Sequence, residues 1–395
     1  MILEKKFLQF TQDYLCIDTS HPMPDYSKTF ELFAKQAYED QLFSSIIDLE
    51  NGLQAMIIGV HGVDKNLSAL ALNHHMDVVP VKESDWKYPP FQAVIDNGLL
   101  YGRGTQDMKG VGVCHYFALR KLKQEGFVFK RSVYLILLPH EEVGGFEGGG
   151  VWVEKQEFRD LNIGYILDEG LPSGNNEELF IKVSERKPMH IVFSSVGKMA
   201  HGSRIDSKNA THDLILFLAQ LAEFQRSQLT CNPGVPHGLL LSMNITSFQS
   251  GVVNGDNVSL NIIPAEARAT VDMRVPPTMR KQDALEKIQM YLDNYPSITY
   301  AINSQAAEHE YDSNYETDFY QILVKSIKEN DINSLPYHAE ESSDMRFYLE
   351  KGIEGLGFSP FTIPENLHGI DECVKLGDLK LGKEIFYTFI KSFCG

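Results

Sequence analysis

Through the first half of the chain, short apolar runs alternate with stretches whose apolar residues recur at helical spacing. The runs at 67–73, 134–138 and 163–167 read as strands, as does 54–59 before them. Phe7, Leu8, Phe10, Tyr14 and Leu15 mark an amphipathic opening helix, and 28–39, 111–124 and 149–158 read as further helices. Such alternation predicts an α/β fold, a mainly parallel sheet covered by helices on both faces.

The pattern changes near Lys187. Strand 189–196, helix 206–224, strands 239–248 and 265–275, helix 281–291 and strand 297–302 follow in that order. The first of these helices carries Leu214, Phe217, Leu218, Leu221 and Phe224 on one face, and the second carries Leu285, Ile288 and Leu292. A β-α-β-β-α-β order is the ferredoxin-like split unit. It predicts a second domain, 188–303, inserted into a discontinuous first domain, 1–187 and 304–395. After a polar connection at 304–317, helices 319–329 and 345–351, an extended 355–358 and a last helix 379–393 return to the first domain.

A chain of 395 residues exceeds what one growing core usually serves, which agrees with two domains. Its net charge of -17, with no basic stripe to offset it, argues against nucleic acid as a partner. The five cysteines are scattered and form no C-x-x-C, so neither a disulfide framework nor a thiolate zinc site is indicated. Cys373 lies near His368 and invites a Cys/His nucleophile reading, against which stands the plainer one of a small buried apolar residue. The first ten residues mix charges into an amphipathic pattern without a secretory apolar core. No apolar run approaches the roughly 20 residues that span a bilayer. The expectation is a cytoplasmic protein with no membrane partner.

The chemistry gathers where the apolar runs stop. His75 and Asp77 follow the first run, Glu141 and Glu142 the second, and Asp168 and Glu169 the third. Strand ends of this kind lie at the carboxyl edge of a sheet, where open α/β folds bind ligands. In Asn73-His74-His75-Met76-Asp77 the aspartate is placed to hold a metal-bound imidazole's second nitrogen, while His74 is expected on the opposite face. Asp107, in Gly102-Arg103-Gly104-Thr105-Gln106-Asp107, precedes a helix and reads either as a ligand or as a cap. The segment lacks both phosphate-loop spacings. Two adjacent carboxylates after a buried strand require positive compensation, and they divide naturally between binding a metal and moving a proton. His368 sits in Leu367-His368-Gly369-Ile370-Asp371-Glu372. Oxygen ligands mixed with imidazole suit zinc, manganese or cobalt. Each of these positions alone has a bland explanation; their recurrence at successive strand ends does not.

The segments H-H-M-D, Y-G-R-G-T-Q-D-M-K-G, E-E-V-G-G, L-D-E-G and L-H-G-I-D-E resemble those of the M20 metallopeptidase family of two-zinc amidohydrolases. The resemblance runs nearly end to end. It is nearest to the family's aminoacylases through Asp77-Val78-Val79-Pro80, Ser184-Glu185-Arg186 and Leu356-Gly357-Phe358-Ser359-Pro360. It implies two zinc ions per subunit, with cobalt or manganese as substitutes. His75, Asp107 and Glu169 would hold one, and Asp107, bridging, with Glu142 and His368 the other. Glu141 resembles the family's general base and Asp77 the residue that orients His75. The Asp107–Met108 bond is expected to be cis. The inserted domain resembles a lid and dimerisation domain in which His201 reaches the partner subunit's site and stabilises the oxyanion. Asn261, Arg274 and Gly357 match substrate-binding positions. His140 departs from the family, which commonly has aspartate there, and the stretch 251–260 is longer than the family's.

The implied activity is hydrolysis of N-acyl-L-amino acids by a homodimer. A dipeptidase or aminopeptidase on the same scaffold is the nearest rival. A non-catalytic protein that keeps the fold is disfavoured by the full ligand set. A mononuclear deaminase is disfavoured because no H-x-E…P-C-x-x-C pattern is present.

Overall fold

A computed structural model of the chain describes residues 4–254, 257–302 and 315–395. The chain divides into two units, one of Met1–Val183, Asn314–Tyr337 and Ser343–Gly395, the other of Ser184–Ser313 and His338–Ser342.

An eight-stranded sheet organises the first unit, in the order Phe43–Asp48, Gln54–Val60, Val133–Leu138, Ala69–His75, Ile163–Asp168, Glu354–Phe358, Glu178–Glu185 and Asn333–Ala339. The four central strands from Val133–Leu138 to Glu354–Phe358 are mutually parallel. Antiparallel pairings extend the sheet on both sides of this centre. Alternation along the central strands sends side chains to two separate cores. Leu70, Leu72, Leu135 and Leu137 join one face with Phe7, Phe10, Phe117 and Phe386. Ala69, Ala71, Ile136 and Leu138 join the other with Trp152, Phe158, Phe347 and Tyr348. Both faces are therefore dry, which explains why these strands read as unbroken apolar runs.

Three strands of this sheet are not advertised by the pattern: Glu178–Glu185 lies inside it, and the other two lie at the edges. Phe43–Asp48 is largely exposed, and Asn333–Ala339 carries Pro336, a residue that sheets tolerate at an edge. The single helix expected over 149–158 is two short ones, Gly149–Trp152 and Gln156–Asp160, because Lys155 between them is extended.

The second unit holds a four-stranded antiparallel sheet in the order Ser242–Ser250, Glu266–Val275, Lys187–Val196 and Ile298–Ile302. Its helices are Ala210–Cys231 and Lys281–Leu292. Leu214, Phe217, Leu218 and Leu221 of the first helix pack with Ile191, Phe193, Val271 and Met273, and Ala284, Ile288 and Leu292 of the second join them. The first helix begins four residues later than the pattern suggests. Asn209, not Asp206, caps it, its side chain accepting the Thr211 and His212 amides. Most of the polar connection at 304–317 lies outside the described residues. Among the described residues, no helix is long and apolar enough to cross a membrane.

Candidate metal centre

Strand ends and two loops bring the five predicted ligand residues to a single place in the first unit. Ala69–His75 ends in His75, Ile163–Asp168 is followed by Glu169, and Val133–Leu138 leads through His140 into the short turn Glu141–Val143. His140 takes a left-handed conformation, φ 65°, which swings the chain back over the sheet edge. Asp107 stands just before the helix Lys109–Gln124, and the Asp107–Met108 bond is cis, as the resemblance implies.

Asp107 lies between two histidines. His75 Nε2 is 2.9 Å from Asp107 Oδ1 and 3.2 Å from Glu169 Oε2. On the other side His368 Nε2 is 3.2 Å from Asp107 Oδ2 and 3.0 Å from Glu142 Oε2. Each carboxylate oxygen of Asp107 thus serves one group, His75–Asp107–Glu169 and Asp107–Glu142–His368, and the ligand atoms of each group lie within 4.8 Å of one another.

These residues fit a pair of divalent cations. Every donor is oxygen or imidazole nitrogen. His75 Nδ1 donates to the Asp77 carbonyl at 3.0 Å, which leaves Nε2 as the nitrogen with the lone pair. Glu142 Oε1 is buried with no hydrogen-bond partner among the described residues. Three carboxylates and the nearby Glu141 face only two imidazoles, an excess of negative charge that burial makes costly.

The protonation of the cluster follows from that crowding. Burial, then the Asp107 charge, lifts the Glu169 carboxyl to about 7. Burial and Asp107 also raise Glu142. Burial and the Glu169 charge raise Glu141 well above an ordinary carboxyl. Hydrogen bonds donated to Asp107 and Glu142 push His368 up to about 10. Burial opposes charge on His75, but its hydrogen bonds to Asp107 and Glu169 outweigh that and raise it. Burial would likewise raise Asp107, yet the two histidines hold it far below the usual range.

Around this cluster stands a frame only partly visible in the sequence. Glu372, fully buried, takes Arg103 Nη1 at 2.8 Å and the amides of Gly104 at 3.0 Å and Gln106 at 2.6 Å. Arg103 Nη2 also reaches the His368 carbonyl at 3.1 Å, so one ion pair locks the Asp107 loop to the His368 loop. Gly104 has φ 88°, and a side chain there would also crowd Val78 and Lys109. Asp77 accepts the Glu141 amide at 3.1 Å and the Glu142 amide at 3.0 Å, while its carboxylate is 3.8 Å from His75 Nδ1. Asp77 therefore holds His75 by its main-chain carbonyl and the Glu141–Glu142 turn by its side chain. Burial would raise its carboxyl, but the His21 hydrogen bond, the His75 charge and the Glu142 amide together keep it low.

His74 points the other way, as alternation requires, and meets the Tyr14 hydroxyl at 2.9 Å. Gly357 pairs with Asp168 on one side and Lys182 on the other. A Cβ there would stand 2.1 Å from the Glu169 carbonyl and 2.3 Å from Lys182 Cε, so glycine at this position lets the Glu169 backbone pass close. Cys373 takes no part: burial, then Glu372, pushes its thiol up to about 11, away from the reactive thiolate.

The other three predicted residues belong to the second unit. His201 is exposed, and its Nδ1 accepts the Ser203 amide at 3.2 Å, so the neutral ring carries its proton on Nε2. Asn261 is beside it, its carbonyl accepting the Gly202 amide at 2.6 Å. Arg274 is half-buried and forked onto Asp272, with Nε–Oδ1 at 2.8 Å and Nη2–Oδ2 at 3.0 Å.

Residues 71–392 match peptidase family M20/M25/M40. The chain is 31% identical to aminoacylase-1 of Dictyostelium discoideum over 98% of each chain. It is 30% identical to human aminoacylase-1 over 95% of this chain and 92% of that one. A dinuclear metal-binding peptidase of the M20 family from Bacillus subtilis superposes with a TM-score of 0.70 at 15% identity, covering 99% of both chains.

Proposed function

From the premise that the chain belongs to peptidase family M20/M25/M40, a family of metal-dependent amidohydrolases, we propose that it hydrolyses N-acyl-L-amino acids to a carboxylate and a free L-amino acid. The observation that carries this reading is the placement of Asp107, one oxygen toward His75 and Glu169 and the other toward His368 and Glu142. The identity to aminoacylases over nearly the whole chain supports the substrate class. Zinc is the cation proposed, with cobalt or manganese as substitutes, since all donors are nitrogen or oxygen.

When bound, two such cations supply Lewis-acid polarisation and the positive field that makes water a nucleophile near neutral pH. The chain's own residues do the rest. Glu141 removes a proton from the attacking water at its carboxylate as the C–O bond forms, and then delivers it to the leaving amine nitrogen as the amide C–N bond breaks. Its carboxyl, lifted by burial and by Glu169, is suited to hold that proton between the two steps. His201, with its proton on Nε2, faces the oxyanion in a second copy of the chain, which makes the working form a homodimer. The inserted domain expected over 188–303 serves in this reading as lid and dimerisation surface. Arg274, oriented by Asp272, receives the substrate's α-carboxylate, with Asn261 beside His201 as a further substrate contact. The enzyme works in the cytoplasm.

Rates on N-acetyl-L-methionine and on a free-amine dipeptide, measured side by side, test the reading. Faster hydrolysis of the acetylated substrate is expected. A clear preference for the dipeptide would overturn the acylase assignment, and zinc-loaded chain that cleaves neither would overturn the whole reading.

A further inference from the structure

Asp77 does not hold the Glu141–Glu142 turn alone. His21 approaches from a loop 56 residues earlier, and its Nε2–H donates to Asp77 Oδ2 at 2.9 Å. Its side chain is 8% exposed and that of Asp77 0%. The loop is built against the strand end. Thr19 Oγ1 donates to the Met76 carbonyl at 2.7 Å, the Val78 amide to the Thr19 carbonyl at 3.2 Å, and the His21 amide to the Val78 carbonyl at 3.2 Å. On its far side the His21 ring lies 5.1 Å from that of His140, the residue that turns the chain into Glu141.

We propose that His21 is a positioning residue for the general base, acting through Asp77 on the main chain of Glu141 and Glu142. Among the described residues the Asp77 carboxylate has three donors, the Glu141 amide, the Glu142 amide and His21. The two amides belong to the turn being positioned, so they cannot anchor the carboxylate to anything else. His21 is the donor from an independent, clamped segment, and it fixes the rotation of the Asp77 side chain. Without it Asp77 is free to rotate, the turn loses its anchor, and the Glu141 carboxylate drifts from the water it must deprotonate. Errors of an ångström in such groups are enough to slow a reaction greatly.

The inference rests on the amidohydrolase reading above, and the test separates the two. The probes are zinc-loaded wild type, His21→Leu, His21→Gln and His21→Asn, each with N-acetyl-L-methionine. Hydrogen exchange of the peptide covering 139–145 is followed in the metal-free and zinc-loaded chain. His21→Leu is expected to lower kcat by about 10–100-fold, the usual cost of losing such a supporting partner. KM should stay within about threefold, because ground-state binding is not touched. Zinc content should be unchanged and exchange over 139–145 faster, with or without zinc. Glutamine presents its amide N–H where histidine presents Nε2–H, so His21→Gln should restore both kcat and protection, whereas the shorter His21→Asn should not. If His21→Leu does not fold, the Gln and Asn variants decide: a difference between them supports the proposal and equal behaviour overturns it. Wild-type kcat and exchange in His21→Leu would overturn it, as would loss of activity that tracks loss of zinc. Failure of wild type to cleave the substrate would instead strike the reading on which the inference rests, while the exchange result would still judge the link from His21 to the turn.

Discussion

The groups around Asp107 and those around Arg274 both set acidic side chains against basic ones, yet they are held in opposite ways. Asp107 meets histidines 32 and 261 positions away in the chain, and the Arg103–Glu372 pair behind it spans 269. Arg274 meets Asp272, and His201 meets Ser203, each only two positions away. The first group exists because a sheet brings distant strand ends together, and it leaves a surplus of carboxylates for protons or a cation to balance. The second is satisfied locally, on a half-exposed strand and an exposed loop. In the proposed reading, metal binding is therefore a property of one folded unit, whereas substrate recognition and oxyanion stabilisation would draw on residues of the other.

The largest expected effect sharpens the first half of that contrast. Glu141→Gln should lower kcat by about 10²–10⁴-fold, the range for a positioned proton-transfer group. Metal content should be unaltered, because Glu141 belongs to neither ligand group. Elemental analysis beside steady-state kinetics checks both.

His201→Ala probes the other half. It should reduce kcat by about 10²–10³-fold, the cost of one oxyanion donor, without changing metal content or melting temperature, since the side chain is exposed and, among the described residues, bonded only to Ser203. A fall in metal content would break the division of labour between the units.

Gly357→Ala tests whether the cluster depends on close backbone packing. The added methyl would meet the Glu169 carbonyl and Lys182, so a stability loss of about 1–3 kcal/mol is expected. Denaturant unfolding reads it directly, and zinc should bind more weakly as Glu169 shifts.

The smallest effect is the pH dependence. His368, raised in the metal-free chain to about 10, contributes stability that is complete below the ordinary imidazole value and fades as pH rises through about 10. Glu169, lifted to about 7, favours its protonated form, so the metal-free chain also loses stability as pH climbs from an ordinary carboxyl value through about 7. Zinc takes the place of these protons. Its uptake at pH 7 should therefore release protons, and its affinity should rise with pH. Calorimetric titration in buffers of different ionisation enthalpy measures this.

Much of the first unit was legible because its central strands are buried on both faces, and unbroken apolar runs record that directly. Their ends then exposed His75, Glu141, Glu142 and Glu169. His74 was legible too, since alternation alone sends it to the face where Tyr14 waits. The edge strands Phe43–Asp48 and Asn333–Ala339 were not, because exposure removes the apolar signal. Glu372 and Arg103 stood inside the noted segments, but nothing local tells that a charge is fully buried against another 269 positions away. His21 was the least visible. It lies between Ser20 and Pro22 in a loop, and only the fold brings it to Asp77.

The central claim is that one side chain, Asp107, joins two cation sites. Zinc per chain, measured by elemental analysis in wild type and in Asp107→Ala after equilibration with the same free zinc, tests it most directly. About two zinc ions are expected in wild type, one for each ligand group, and close to none in Asp107→Ala. Retention of a full zinc ion at either group in the variant, or a wild type that binds only one, would contradict it.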